Sequence, residues 1–129
     1  MPARKQASFQ ILSTRMHGML DIGMVLLLIA APFALGFANM GAAQFTMQGI
    51  AVLILGASLM TRYEFGLAGI IPMPMHLMLD IGAGLLLAAS PWLLGFYSTV
   101  YWPHLLLGLA EVGAAVMTKT QPQRASMMA

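Results

Sequence analysis

The stretch His17-Gly-Met-Leu-Asp21-Ile-Gly23, followed downstream by Ala31-Pro32-Phe33-Ala-Leu-Gly36-Phe37, decides the fold, because the chain writes it twice. Fifty-nine positions later it returns as His76-Leu-Met-Leu-Asp80-Ile-Gly82 and Ser90-Pro91-Trp92-Leu-Leu-Gly95-Phe96. Each copy is an apolar run with one histidine and one carboxylate near its start and a proline near its end. Ionisable residues are costly inside hydrocarbon. Two equivalent placements therefore speak for an internal repeat rather than coincidence.

The composition says where such runs reside. Of 129 residues, 60% are hydrophobic and only 8% charged, against about a quarter charged in soluble domains. The mean hydropathy is +0.83. Four segments, near residues 16–37, 44–62, 75–96 and 101–119, approach the roughly 20 apolar residues needed to cross a bilayer. A soluble bundle would need a polar face on every helix, and residues 24–36 and 81–89 offer none. The apolar run after Arg4 and Lys5 is too long for a signal peptide, contains Asp21 and shows no clear small-residue cleavage site. It reads as a retained first span. With no cysteine in the chain, disulfides and thiolate chemistry are excluded.

Charge sets the orientation. Arg4, Lys5 and Arg15 precede the first span, Arg62 follows the second, and Lys119 and Arg124 follow the fourth. The loops at 37–44 and 97–101 are uncharged. All six basic residues fall on one side, which the positive-inside rule makes cytoplasmic, so both termini are expected inside. The net charge of +2 is too small and dispersed for nucleic acid.

The expected fold is an all-α membrane protein: four transmembrane helices arranged as two parallel tandem helical-hairpin repeats. A cytoplasmic segment, 1–15, leads into a membrane domain, 16–119, with repeat 1 at 16–62 and repeat 2 at 75–119. The polar tail, 120–129, is predicted to be cytoplasmic and disordered. An even number of spans per repeat makes the copies parallel, related by an axis along the membrane normal. In the second spans Gly49 aligns with Gly108 and Gly56 with Ala115, a small-residue stripe suited to close packing. Met60-Thr61-Arg62 pairs better with Met117-Thr118-Lys119, a local shift of two residues. The connector 63–75 reads as an interfacial segment with Pro74 near the start of the third span. Tyr63, Tyr97, Tyr101 and Trp102 fall at predicted boundaries. Pro32 and Pro91 each remove a helical bond, to the carbonyls of Leu28 and Leu87, and predict kinks involving Phe33 and Trp92. The Ser90 hydroxyl is placed to satisfy a freed carbonyl.

The chemistry-bearing residues form one group. His17 and Asp21, like His76 and Asp80, are spaced i,i+4 and share a helix face. Glu111, eight residues before Lys119 or roughly 12 Å at helical rise, reaches similar depth; its partner in repeat 1 is Val52. The spacing thus predicts an intramembrane cluster of His17, Asp21, His76, Asp80 and Glu111. Such groups pair with each other or line a polar cavity. Three readings stand: a packing device holding the spans together, a proton or cation site built on Asp21, Asp80 and Glu111, or a haem- or quinone-associated site using His17 and His76. No haem-attachment motif or third fixed ligand supports the last, and no zinc motif, phosphate loop or nucleophile–base arrangement is present. His104 reads as an interfacial histidine, and the thirteen methionines as adaptable packing.

The two Ala/Ser-Pro-Phe/Trp-x-Leu-Gly-Phe segments resemble the SPW-repeat family of small bacterial membrane proteins, over roughly residues 16–119. The second copy keeps Ser90-Pro91-Trp92; the first departs to Ala31-Pro32-Phe33 and so lacks the hydroxyl and the indole N–H. The resemblance implies a bacterial inner-membrane location and a repeat architecture, and carries no catalytic residues. The expected function is that of a structural or accessory, non-enzymatic membrane protein without cofactor or bound metal. Its partners are the lipid bilayer and either further copies of itself or a membrane protein.

Overall fold

The computed structural model describes residues 6–122, all of it helical or connecting. Four helices follow in order: α1 (Thr14–Ala34), α2 (Ala42–Met60), α3 (Met73–Leu93) and α4 (Trp102–Val116). Ser13 caps α1 by accepting from the Met16 amide at 3.1 Å, satisfying one of the amides that a helix start leaves without a partner. Prolines open α3 and α4, where a missing N–H costs nothing. At the far ends Gly36 and Gly95 take φ of +80° and +76°, the left-handed turn that closes a helix and favours glycine. The Phe37 amide then donates back to the Pro32 carbonyl at 2.8 Å.

Both internal prolines lie in the last turn of their helices, three residues before the caps Leu35 and Leu94. They end spans rather than bend their middles. In α3 the Ser90 hydroxyl donates to the Leu87 carbonyl at 2.7 Å, the acceptor that Pro91 leaves free.

α1 to α3 are long and apolar enough to cross a membrane. α4 has 15 residues, or about 22 Å at helical rise. It stops short of the expected segment 101–119 because Met117–Lys119 leaves the helix to pair with the backbone of Leu12. The Leu12 amide donates to Met117 O at 2.9 Å, and the Lys119 amide to Leu12 O at 2.8 Å. The end of α2 does the same with the segment before α3: Arg62 donates to Ile71 O at 2.8 Å and Ile71 to Met60 O at 2.9 Å.

Burial is distributed inside out. Leu26, Leu27, Phe33, Val52, Leu85, Leu86 and Leu106 face outward, while Thr14, His17, Asp21, Ser58, Thr61, His76, Asp80, His104, Glu111 and Thr118 are buried. Water would favour the reverse. An apolar core of Val25, Leu28, Met47, Ile50, Ile54 and Leu87 fills one half of the bundle. Apart from His104, and from Ser90 in the last turn of α3, the buried polar residues gather towards the opposite end, with Arg15, Arg62 and Lys119. Arg4, Lys5 and Arg124, and the predicted tail beyond residue 122, lie outside the described residues.

The burial pattern of the second spans follows a different offset from their glycine spacing. Met47, Ala51, Ile54 and Ser58 are buried in α2, and His104, Gly108, Glu111 and Ala115 in α4, a constant offset of 57. In burial, Gly108 matches Ala51 rather than Gly49, and Glu111 matches Ile54 rather than Val52, which is 71% exposed. The match at 57 runs along the whole helix, and α4 begins at Trp102, three residues later than that offset from Ala42 would place it. A Cβ at Gly108 would stand 2.5 Å from Gly84 O and from Ala88 N, whereas one at Gly49 would meet nothing within 4 Å. Glycine at 108 lets α3 and α4 touch through their backbones. Gly108→Val is expected to lower the unfolding midpoint by the equivalent of about 1–3 kcal/mol, with Gly49→Ala within about 0.5 kcal/mol of the parent. Denaturant titration of the purified protein in detergent micelles measures both.

Candidate functional site

The polar cluster is built at the first turns of α1 and α3. His17 and His76 each sit three residues past the first helical residue, Thr14 and Met73, and the i,i+4 spacing puts Asp21 and Asp80 beneath them on the same faces. Packing brings these faces together. His17 Nε2 lies 2.7 Å from Asp80 Oδ2 and 3.2 Å from Asp21 Oδ2. His76 Nε2 lies 3.0 Å from each of the same two oxygens. Each histidine therefore meets both carboxylates, its own and that of the other helix. All four side chains are 0–1% exposed.

The other two helices supply the outer ring. Thr118, just past α4, has Oγ1 2.8 Å from His17 Nδ1. Thr61, just past α2, has Oγ1 2.8 Å from His76 Nδ1. Ser58 donates to Asp21 Oδ2 at 3.4 Å. Tyr63 covers the cluster from the connector, its ring centre 5.4 Å from that of His76. It is thus buried rather than displayed at the boundary, and burial pushes its hydroxyl up to about 12. At the cluster's edge Thr14 donates to both oxygens of Glu64 at 2.8 Å, which ties the connector to the start of α1.

Sequence reasoning identified all four members of the ring but not its cross-pairing, and it missed both threonines. The signal was present: Met-Thr-Arg and Met-Thr-Lys close the second spans with one basic residue after each threonine. Glu111 joins the group more loosely. It is 2% exposed, close enough to feel the charges of Asp21 and Asp80, and its Oε1 has no hydrogen-bond partner among the described residues. Its side chain borders a cavity of about 270 Å³ between α1 and α4, with Met19, Gly23, Met24 and Ala114.

Two expectations change. His104 is fully buried rather than interfacial. Its Nε2 donates to Ala43 O at 2.8 Å, and its ring packs between Phe37 and Phe96 with centres 5.4 and 4.8 Å away. The haem reading of His17 and His76 needs a flat macrocycle between their Nε2 atoms. That space is taken by Asp21 and Asp80, bonded to both rings, and the imidazole centres stand only 5.5 Å apart.

An apolar exterior around a buried acid–imidazole ring defines a small helical membrane protein organised on an internal polar centre. The profile of the SPW repeat domain matches residues 15–118, most of the chain. The protein belongs to the SPW repeat family of small membrane proteins. No curated protein and no solved structure matches it.

Replacing Thr61 or Thr118 by valine keeps side-chain shape and strands a buried histidine N–H. Each substitution is expected to cost about 1–3 kcal/mol, measurable as a lowered unfolding midpoint. Thr46→Val, which removes a hydroxyl bonded to its own helix at Ala42 O on a part-exposed face, is expected to be near neutral.

Proposed function

We propose that this is a non-enzymatic structural or accessory protein of the bacterial inner membrane, in which the acid–imidazole ring clamps two parallel tandem hairpin repeats. The observation that carries the reading is the cross-pairing. Each of His17 and His76 bonds a carboxylate on the other long helix, and each is held from behind by a threonine at the end of α4 or α2. All four helix ends therefore converge on one ring. Removing one member of a buried charged pair costs about 3–5 kcal/mol, so the ring has leverage over the whole bundle.

The repeat arrangement draws support from matched bonds. Thr61 and Thr118, 57 apart, donate to Ala57 O and Ala114 O at 2.6 Å and stand at equal distance from their histidines. Leu12 and Ile71, 59 apart, form the same backbone bridge with those threonines. Four spans follow if the extended ends of α4 add to its helical length, since extended chain covers about 3.3 Å per residue. Arg15, Arg62 and Lys119 at one end support a cytoplasmic position for both termini. Lipid covers the apolar exterior, and an accessory role calls for a further copy or a membrane protein partner on part of it.

A proton or cation pathway through Asp21, Asp80 and Glu111 is a second reading, favoured by the unpartnered Glu111 oxygen beside the α1–α4 cavity. Purified protein in liposomes separates the two. Clamping predicts that Asp80→Asn lowers the unfolding midpoint by the equivalent of about 3 kcal/mol or more, with no change in proton flux from Glu111→Gln. Flux that falls in folded Glu111→Gln protein would reject the clamp as the sole role.

Orientation has its own test, made clean by the absence of native cysteine. Single cysteines at Asn39 and Ser98 are expected to react with a membrane-impermeant maleimide in intact cells. Cysteines at Ser8 and Gln121 are expected to react only after permeabilisation. Labelling of Ser8 and Gln121 from opposite sides would overturn the even number of spans.

A further inference from the structure

Each threonine hydroxyl behind the ring carries one proton and donates it to the carbonyl four residues back, Thr61 to Ala57 and Thr118 to Ala114. Towards the histidine it is therefore an acceptor, and Nδ1 of His76 and of His17, each 2.8 Å away, carries the hydrogen. A neutral imidazole held this way has its lone pair on Nε2. Both Nε2 atoms enter a closed ring with Oδ2 of Asp21 and Oδ2 of Asp80, alternating nitrogen and oxygen, with edges of 2.7, 3.0, 3.0 and 3.2 Å. Four lone-pair atoms at that range repel one another unless positive charge stands between them. Two protons supply it. So does a single divalent cation, and with either the two carboxylate charges are cancelled and the buried unit is neutral.

The geometry points to a metal site: His17, Asp21, His76 and Asp80 bind one first-row divalent cation of the Zn²⁺ class through Nε2 and carboxylate oxygens. The four residues present donor atoms within 4.8 Å of one another. Tetrahedral bonds of about 2.0–2.2 Å separate donors by about 3.3–3.6 Å, so to admit the ion the edges of 3.0 and 3.2 Å open by a few tenths of an ångström and the 2.7 Å edge by more than half an ångström. Two imidazoles on one such ion have centres about 5 Å apart; here they are 5.5 Å apart and nearly perpendicular, at 82°. Thr61 and Thr118 fill the role of the outer partner that orients a metal-bound histidine and sets its tautomer. Asp21 Oδ1 and Asp80 Oδ1 are buried and have no hydrogen-bond partner among the described residues, so either carboxylate has a second oxygen to offer. Mixed imidazole and carboxylate donors suit zinc, cobalt, nickel or ferrous iron. Calcium requires six to eight oxygens and magnesium a largely hydrated octahedron, which a dry site of two nitrogens and two carboxylates does not supply. This inference does not rest on the clamp, since a ring holding only protons would still bind the helices together.

The full chain, purified in detergent and stripped with a chelator, is titrated with Co²⁺ and followed by its visible d–d absorption, with Zn²⁺ as competitor. The expected result is saturation at one Co²⁺ per chain, an intense tetrahedral-type spectrum, displacement by Zn²⁺, and no displacement by Mg²⁺ or Ca²⁺. Asp80→Asn and His76→Gln are expected to abolish the spectrum, while His104→Gln, at the other end of the bundle, leaves it unchanged. If the ligand variants do not fold, Thr61→Val and Thr118→Val decide, because they retain all four ligands. Loss of the outer partner is expected to weaken binding about 10–100-fold. Absence of saturable Co²⁺ binding by the parent chain would overturn the site, as would unchanged affinity in both threonine variants.

Discussion

Hydrocarbon gives a polar atom no partner, so every ionisable group placed there has to find one within the protein. That constraint organises this molecule. Asp21, Asp80, His17 and His76 reside at 0–1% exposure, and each is tolerable only because the others are there. The ring they form cannot be closed by one helix: the i,i+4 pairs supply two edges, and the edges of 2.7 and 3.0 Å between α1 and α3 supply the other two. The relative position of the long helices is thus tied to the satisfaction of four polar side chains. Dispersion packing alone tolerates small slides; a hydrogen-bonded ring with edges near 3 Å does not.

The same constraint explains features that look unrelated. Where α4 gives up its last turn to pair with Leu12, Thr118 takes two roles, donating to Ala114 O and accepting from His17. The chain then continues beside Leu12, so the two ends of the described chain meet next to the site. Thr61 and the segment before α3 repeat the arrangement around His76. Tyr63 lies over His76 and closes off the end of the ring that would otherwise face the basic surface. At the opposite end the bundle is held by different means: Met47, Leu28 and Leu87 pack there, and His104 contributes one bond to Ala43 O. The protein divides its cohesion, with directional bonds near the basic end and shape complementarity near the other.

Much of this could be read from residues alone, and the parts that could not share a cause. Helix positions followed from apolar run length, and the prolines and Gly36 and Gly95 marked where α1 and α3 end. The four ring members followed from i,i+4 spacing and the cost of burying charge. The second spans were harder. α2 and α4 are apolar nearly throughout, so glycine spacing suggests an offset of 59, while their buried positions match at 57. One-dimensional matching has no means of seeing which face of a uniformly greasy helix points inward. His104 was misjudged for a related reason: proximity to a helix start says nothing of whether Ala43 O and two phenylalanine rings wait beside it.

What the amino-acid order determined is the set of elements and their inventory: four apolar helices, a duplicated acid–imidazole pair at one depth, and basic residues gathered near one end. These depend on local periodicity and on transfer costs, which are properties of residues and their near neighbours. What only the tertiary structure decided is who bonds to whom. The crossing of His17 to Asp80 and of His76 to Asp21, the threonines that set both histidine tautomers, and the early end of α4 all join residues 15 to 107 positions apart. Contacts at that separation arise from how whole helices pack, and packing resolves distances of a few tenths of an ångström that no spacing rule contains.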